Sequence, residues 1–341
     1  MAEYFFDLSQ KDRREAVEYV RAESGRPAHL LEKDIWVVWA LRALFDAPLA
    51  KDLTFKGGTS LSKVYQVINR FSEDIDLTYD IRKLIPDLTG DYGEWPTSRS
   101  QASKWTRAVR HRLPDWIKEN IQPIIEAALA REKLDARVEL GGKENDTLLL
   151  HYPALAQGTG YVAPVVTLEF GSRATGEPHR THTVSCDIAK YLPEVSFPTA
   201  SPQVMDLSRT FWEKATAAHV FCAHGRVILG ERYARHWHDL VAISRSQYFA
   251  AVITDRAVAS AVARNKSYFF IEKDQDDQTI EYADATTGHL KIVPEGDAKA
   301  ALAQDYAAMV ADNVMVGDTL SFEALLDVCA DMEAKINSEH P

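Results

Sequence analysis

Asp74 and Asp76 are separated by one residue at the start of Ile75-Asp76-Leu77-Thr78-Tyr79, a run whose β-branched and aromatic content predicts a strand. Residues i and i+2 of a strand point to the same face, so the two carboxylates project together. Like charges this close repel unless a cation bridges them, and a carboxylate pair with substrate phosphates is a common way to hold Mg²⁺ for phosphoryl transfer. Just upstream, Lys56-Gly57-Gly58-Thr59-Ser60 joins a predicted strand at Leu53-Thr54-Phe55 to a helix expected from Thr59 through Val67. Gly57 and Gly58 let backbone approach backbone or ligand closely, and a helix start offers amides to an anion. Thr59 and Ser60 place hydroxyls where they can reach a phosphate oxygen or cap the helix. The turn is not a Walker P-loop, which needs Gly-x-x-x-x-Gly-Lys-[Ser/Thr]. Each half also has a plain structural explanation, a tight turn and a solvated strand face; together they point to a metal and nucleotide site. Ser72, two residues ahead of Asp74, is either a pocket residue or an ordinary turn hydroxyl.

The chain must supply elements to hold these groups. Its 341 residues are 46% hydrophobic and 26% charged with 16 Gly and 14 Pro, which excludes collagen-like, disordered and coiled-coil classes. The length predicts two domains. Cys186, Cys222 and Cys329 cannot form a disulfide framework and are expected to pack rather than react. Met1–Asp7 lacks the basic head and apolar run of a signal peptide, and Ile35–Phe45, the most apolar stretch, is cut by Arg42 and too short to cross a bilayer. A cytoplasmic protein with no membrane partner is expected. The net charge of −11 argues against a general duplex binder. It leaves room for a local basic run, Arg99, Lys104, Arg107, Arg110, Arg112 and Lys118, which is either a solvated helix face or a track for RNA phosphates.

Apolar spacing predicts helices over Ser9–Glu23 and His29–Phe45, and one or two over Gln101–Glu132, broken at Pro114 or Pro123. Ile85–Ser98 reads as a loop placed to act as a lid. Ala136–Leu140, Thr147–Tyr152 and Val165–Phe170 read as strands, and Pro193–Pro202 as a linker. Helices follow at Leu207–His224, Arg232–Ser244, Phe249–Ala263, Ala298–Met309 and Ser321–Ile336, interrupted by β-like runs within Tyr268–Val293. His179, His182 and Cys186 lack a matching second pair of ligands, and His236 and His238 lack the i, i+4 spacing of helix-borne ligands, so no zinc is expected. Trp212 and Trp237 are expected in the core or between domains.

The order of Gly-Gly-Thr-Ser turn, helix and Asp-x-Asp strand resembles the DNA-polymerase-β-type nucleotidyltransferases. More narrowly, Phe55–Ser60 with Phe71–Leu77, Leu31-Glu32-Lys33-Asp34 and two later helical motifs resemble the AbiEii/AbiGii-type nucleotidyltransferase toxins. These are the toxin halves of bacterial toxin–antitoxin and abortive-infection systems, and the resemblance runs over roughly residues 30–245. It implies an α/β fold: a polymerase-β-like domain with a mixed sheet over residues 1–195, and a mostly helical C-terminal domain over 203–341. It implies Mg²⁺ on Asp74 and Asp76, and NTP at Gly57, Gly58, Thr59, Ser60 and Ser72. Glu169, an acid in the apolar run Val165–Phe170, fits the superfamily's third carboxylate as base or metal ligand, or else is a strand-end Glu facing water.

Arg209-Thr210-Phe211-Trp212-Glu213-Lys214 and Arg232–Leu240 extend the match. The family's functional Lys and Asp fall on Lys214 and Asp239, Lys214 to balance phosphate charge and Asp239 to orient it. Arg232 and Arg235, one helical turn apart, are expected to grip phosphate, unless they belong to an interhelical salt-bridge network. The family usually has a second acid where His236 stands. The implied reaction moves a nucleoside monophosphate from an NTP to an RNA hydroxyl, the tRNA 3′ end. Translation and growth would stop, and a cognate antitoxin would restrain the effect. The alternatives are a same-fold enzyme acting on a protein or small-molecule hydroxyl, and a non-enzymatic nucleotide-binding module.

Overall fold

The computed structural model describes residues 2–72, 74–90, 93, 95–156, 163–224, 232–311 and 319–339. The chain divides into two compact units, one of residues 1–64, 72–94 and 105–205, the other of residues 65–71, 95–104 and 206–341.

The first unit is α/β. Strand β1 (Glu3–Tyr4) precedes helices α1 (Gln10–Ser24) and α2 (Ala28–Phe45). The ends of α1 are local chemistry: Ser9 accepts the Asp12 N–H, and Gly25 takes the left-handed conformation at φ 71°. The sequence predicts a core-directed face for α2, yet the helix is buried on nearly every side, its Glu32, Lys33 and Asp34 included. Strand β2 (Leu53–Lys56) leads directly into α3 (Gly57–Lys63), and β3 (Asp74–Tyr79) follows. Helix α3 stops at Lys63, short of the expected Val67; residues 65–71 belong to the second unit.

A short helix α4 (Ile81–Leu84) precedes the expected Ile85–Ser98 loop and another, α5 (Pro86–Thr89), occupies its start; residues 91, 92 and 94 of that loop lie outside the described residues. Helix α6 (Arg99–Trp116) runs straight through Pro114. The break falls in a π-helical turn, Ile117–Ile121, before α7 (Gln122–Glu132), which accepts Pro123 in its first turn.

Strands β4 (Arg137–Gly141), β5 (Thr147–His151) and β6 (Val165–Gly171) come next, followed by the short β7 (His179–Thr181), β8 (Val184–Ser185), β9 (Val195–Ser196), β10 (Thr199–Ala200) and β11 (Gln203–Met205). The stretch Pro193–Pro202 is therefore not a linker. It carries β9, paired with β1, and β10, paired with β8, and hands the chain to β11 inside the main sheet. Proline-rich sequence reads as connection, but short edge pairings tolerate it because edge residues need not donate both ways.

The main sheet has the order β4-β5-β6-β3-β2-β11-β7. It is mixed: β3 runs parallel to β6 and β2 to β11, with the other pairs antiparallel. Register sorts its faces. Leu53 and Phe55, Ile75 and Leu77, Leu148 and Leu150, and Val166 and Leu168 are buried, and α2 packs against β3 and β6. The alternate residues, among them Lys56, Asp74, Asp76, Thr167 and Glu169, form the opposite, polar face.

The second unit is helical: α8 (Leu207–Ala223), α9 (Ala234–Ser244), α10 (Phe249–Thr254), α11 (Arg256–Phe269), α12 (Gly296–Ala311) and α13 (Phe322–Ser338). The helix expected over Phe249–Ala263 is split at Asp255, whose carboxylate accepts the Val258 N–H to cap α11. Trp212 and Trp237 are core residues of this unit, their indole N–H groups donating to the carbonyls of Val252 (3.2 Å) and Ile292 (2.6 Å). The fold class is thus α/β with a mixed sheet, followed by a mostly helical C-terminal part. Among the described residues no helix is long and apolar enough to cross a membrane.

Buried charge inside α2 makes one stability prediction. The Glu32 carboxylate accepts the N–H groups of Leu155 (2.8 Å) and Ala156 (3.2 Å), while burial pushes its pKa from 4.5 up to about 7. An acid that keeps its proton longer when folded loses stabilising power as pH rises from about 4.5 toward 7. Between pH 5 and 8 the wild-type melting temperature should fall by a few degrees relative to Glu32→Gln, equivalent to roughly 1–3 kcal/mol. Parallel melting curves for the two proteins would remove Glu32 as the titrating group.

Candidate active site

The site begins where β2 becomes α3. Lys56 is extended (φ −146°) and Gly57 has φ 78°, a conformation that L side chains rarely adopt. Steric demand is the second constraint, for a Cβ at Gly57 would lie 2.6 Å from Cγ of Asp76 and overlap its carboxylate. The turn is thereby pressed against the Asp-x-Asp strand. Thr59 Oγ1 donates to the Asp74 carbonyl (2.5 Å) and Ser60 Oγ to the Gly57 carbonyl (2.8 Å), with both side chains buried. The hydroxyls that the sequence offers to a phosphate oxygen or a helix cap donate here to main-chain carbonyls, where they fasten α3 to β3 and close the turn. Gly58 is buried beside them, and Ser72 is half-buried. Glu73, between Ser72 and Asp74, lies outside the described residues.

Asp74 and Asp76 are half-buried and share the polar face with Lys56, which stands opposite Asp76 in the antiparallel ladder. In the parallel ladder Glu169 pairs with Asp76 and Thr167 with Asp74. Adjacent strands lie about 4.8 Å apart, so the exposed Glu169 is Asp76's immediate same-face neighbour. The donor set is all oxygen, which suits Mg²⁺, and the missing Cβ of Gly57 keeps side-chain bulk away from Asp76. Among the described residues no three His, Cys, Asp or Glu side chains are grouped to hold a metal ion. Two carboxylates completed by phosphate and water oxygens fit a Mg²⁺ ion.

One further cluster supports α3. The buried Lys63 ammonium at its end contacts Asp34 of α2 and Asp187, the latter at 2.8 Å, and donates to the Ser185 carbonyl (3.3 Å). Asp34 also accepts the Asp187 N–H (2.7 Å), and Arg26 pairs with Asp187. Burial pushes the Asp34 carboxyl up despite Lys63, whereas the Lys63 and Arg26 cations overrule burial and hold Asp187 down. The sequence places Asp34 in the Leu31–Asp34 motif but gives neither it nor Lys63 a role. The signal was three charges in succession, Glu32-Lys33-Asp34, inside an otherwise apolar helix.

In the second unit Lys214, on α8, is largely buried and lies 3.0 Å from Oδ2 of Asp239 on α9. Asp239 is wholly buried and also accepts both arms of Arg70, Nε on Oδ1 and Nη2 on Oδ2, each at 2.8 Å. His238 Nδ1 lies 3.1 Å from Oδ1. Burial alone would raise the Asp239 carboxyl; Arg70 and Lys214 hold it well below the usual carboxylate range. Arg70 has no role in the sequence reading. Arg232 needs correction: α9 begins only at Ala234, and Arg232 precedes it with φ 73° and an exposed side chain, so it does not share a helical face with the half-buried Arg235. Its backbone N–H and that of Ala234 are instead held by the Asp305 carboxylate. His236 is half-buried with its Nδ1 out of solvent, and its imidazole is driven down to about 3 by burial and then by Lys214 and Lys266.

The α6 basic run is partly spent on structure. Arg112 pairs with Asp87 (2.8 Å) and Arg110 with Glu144 (3.5 Å), while Arg99, Lys104, Arg107 and Lys118 are exposed.

Gly57 is the position at which geometry and chemistry are most tightly joined. Gly57→Ala should cut nucleotidyl transfer at least about a hundredfold because the methyl must displace the Asp76 carboxylate. Gly25→Ala, also at positive φ but with open space around its Cβ, provides the control for backbone strain alone and should retain activity. Equal losses from the two variants would put the effect in folding rather than in the site.

Comparison with known proteins adds the family. The family model described as nucleotidyl transferase AbiEii toxin, type IV toxin–antitoxin system, matches residues 39–328. Among solved structures, the chain is similar to the nucleotidyltransferase toxin MenT4 from Mycobacterium tuberculosis H37Rv, at 17% identity and TM-score 0.42, covering 96% of this chain and 98% of that one. No curated protein sequence matches. Because the family match takes in most of the 341 residues, with the glycine turn and both strand aspartates inside it, the chain belongs to the AbiEii family of nucleotidyltransferase toxins of type IV toxin–antitoxin systems.

Proposed function

We propose that this nucleotidyltransferase toxin moves a nucleoside monophosphate from an NTP to the 3′-terminal hydroxyl of tRNA, with Mg²⁺ held by Asp74 and Asp76. The observation that carries this reading is the half-buried aspartate pair on one face of β3, beside a turn whose glycine leaves no side chain against Asp76. The metal, when bound, would neutralise phosphate charge and polarise the α-phosphoryl group. The acceptor oxygen bonds to the α-phosphorus, the bond to the β-phosphate oxygen breaks, and pyrophosphate leaves. Glu169, exposed next to Asp76, is the candidate to take the hydroxyl proton. Gly57 and Gly58 leave backbone space for the triphosphate, and Thr59 and Ser60 stiffen that turn through their main-chain bonds. Ser72 stays a candidate lining residue.

Lys214 supplies cationic charge for phosphate in this reading, with Asp239 as its anchor; Arg235 is a secondary candidate and Arg232 a weaker one. The RNA acceptor is supported by the exposed cations of α6 in a protein of net charge −11. Capping tRNA 3′ ends would prevent aminoacylation, halt translation and arrest growth until the cognate antitoxin relieved it, in the cytoplasm where tRNA is used.

The test is transfer from each α-³²P-labelled NTP with Mg²⁺ to purified total tRNA. Wild type should label tRNA with one preferred base. Asp74→Asn should remain folded by melting temperature and lose activity by orders of magnitude, and the Asp74→Asn/Asp76→Asn double variant should be inactive. Folded wild-type protein that leaves tRNA unlabelled but labels a protein or small molecule would move the acceptor to that class. Label on nothing would favour a nucleotide-binding module.

A further inference from the structure

We infer that Arg70 is a positioning residue whose charge neutralises Asp239 and so leaves the charge of Lys214 available to phosphate. The inference rests on the reading of Lys214 given above and concerns how that cation is kept usable.

Arg70 cannot meet a ligand itself, since only 3% of its side chain is exposed. Its guanidinium donates in a two-point fork to a carboxylate with no exposed surface, the strongest geometry for such a pair. Lys214 and His238 reach the same carboxylate, so four donors surround Asp239: two from Arg70, one ammonium and one imidazole. An ionised carboxylate has about four acceptor sites, and these contacts fill them. The decisive quantity is charge. Arg70 and Lys214 bring two positive charges to one negative, so the triad retains one unit of positive charge, and Lys214 is its more exposed cation, at 11% against 3%.

Arg209 and Glu213 pair with each other at 3.1 Å, Lys266 donates to the Glu213 carbonyl at 2.7 Å, and burial keeps His236 neutral. Without Arg70, the buried Asp239 would need Lys214 as its counter-ion. The Lys214–Asp239 pair would then have no net charge, and bringing a phosphate to Lys214 would uncover a buried carboxylate. Arg70 thus contributes to phosphate binding without touching phosphate.

The closing experiment measures binding of inorganic tripolyphosphate with Mg²⁺ to the full chain by calorimetry, which needs neither base preference nor acceptor. Melting temperature is followed for every variant. Lys214→Met should weaken binding about tenfold, the scale of one charge-assisted contact, and Arg70→Gln should weaken it by a similar factor. The double variant Arg70→Gln/Asp239→Asn, which removes both the cation and the anion it balances, should bind at least about threefold more tightly than Arg70→Gln alone. Arg70→Lys keeps the charge without the fork and should stay within about threefold of wild type, even where Arg70→Gln proves too unstable to assay. Wild-type binding by Arg70→Gln, failure of the double variant to recover, or a loss in Arg70→Lys as large as that from Lys214→Met would each overturn charge balancing. Unchanged binding in Lys214→Met would overturn the underlying reading of Lys214 instead, and the inference with it.

Discussion

The approach of the β2–α3 turn to β3 is so close that the volume of one methyl group decides whether the aspartate pair can exist as it does. Asp76's carboxylate occupies the place where a side chain at residue 57 would begin, and the Thr59 hydroxyl binds the turn to the carbonyl of Asp74. The same few residues therefore fix the backbone beneath one carboxylate and the side-chain position of the other. A phosphoryl-transfer site draws its advantage from charges already in place before the substrate arrives. Here that preorganisation comes from backbone packing, which costs less conformational entropy at the moment of binding than ordering long side chains would.

Rigid packing at the turn requires support behind α3, and the protein supplies it with buried ions rather than with more hydrocarbon. Lys63 is held between Asp34 and Asp187, and Asp34 reaches on to the Asp187 amide. Such clusters recover little net stability because desolvation offsets most of the attraction. They do impose direction: an ammonium between two carboxylates has one low-energy position, whereas a leucine in that volume would tolerate sliding. The apolar face of the sheet and α2 supply the cohesion, and the ion cluster sets where α3 ends relative to both.

How much of this was legible in the sequence follows from how local each cause is. Asp74 and Asp76 sharing a face needs only a strand's two-residue period, and the ends of α1 need only Ser9 and Gly25; both were readable. Strands β3, β4, β5 and β6 were found to within one residue, because each is a run of at least five residues with a clear pattern. Strands of two or three residues, β7 to β11, have no period to read, and a proline-rich stretch that carries two of them looks like a linker. The ion pairs are farther still from local inference. Arg70 and Asp239 are 169 residues apart, and nothing around either names the other. The bonds of Thr59 and Ser60 were illegible for a different reason: a hydroxyl at a turn suits a ligand oxygen and a carbonyl equally well, and the sequence does not show that the Asp74 and Gly57 carbonyls lie within reach.

The aspartates then separate by environment rather than by motif. Asp74 and Asp76 keep part of their surface in water and sit on a face with one another and Glu169, an arrangement in which added positive charge lowers the energy. Asp239 is sealed from water with two cations already on it, so a metal ion there would have to displace Arg70 or Lys214 before it could bind. A buried carboxylate with two cations already on it suits an anchor, and a half-buried pair on a solvent-reaching face suits the metal-binding role proposed for it. Residue type alone does not separate the two environments; burial and the groups packed around each carboxylate do.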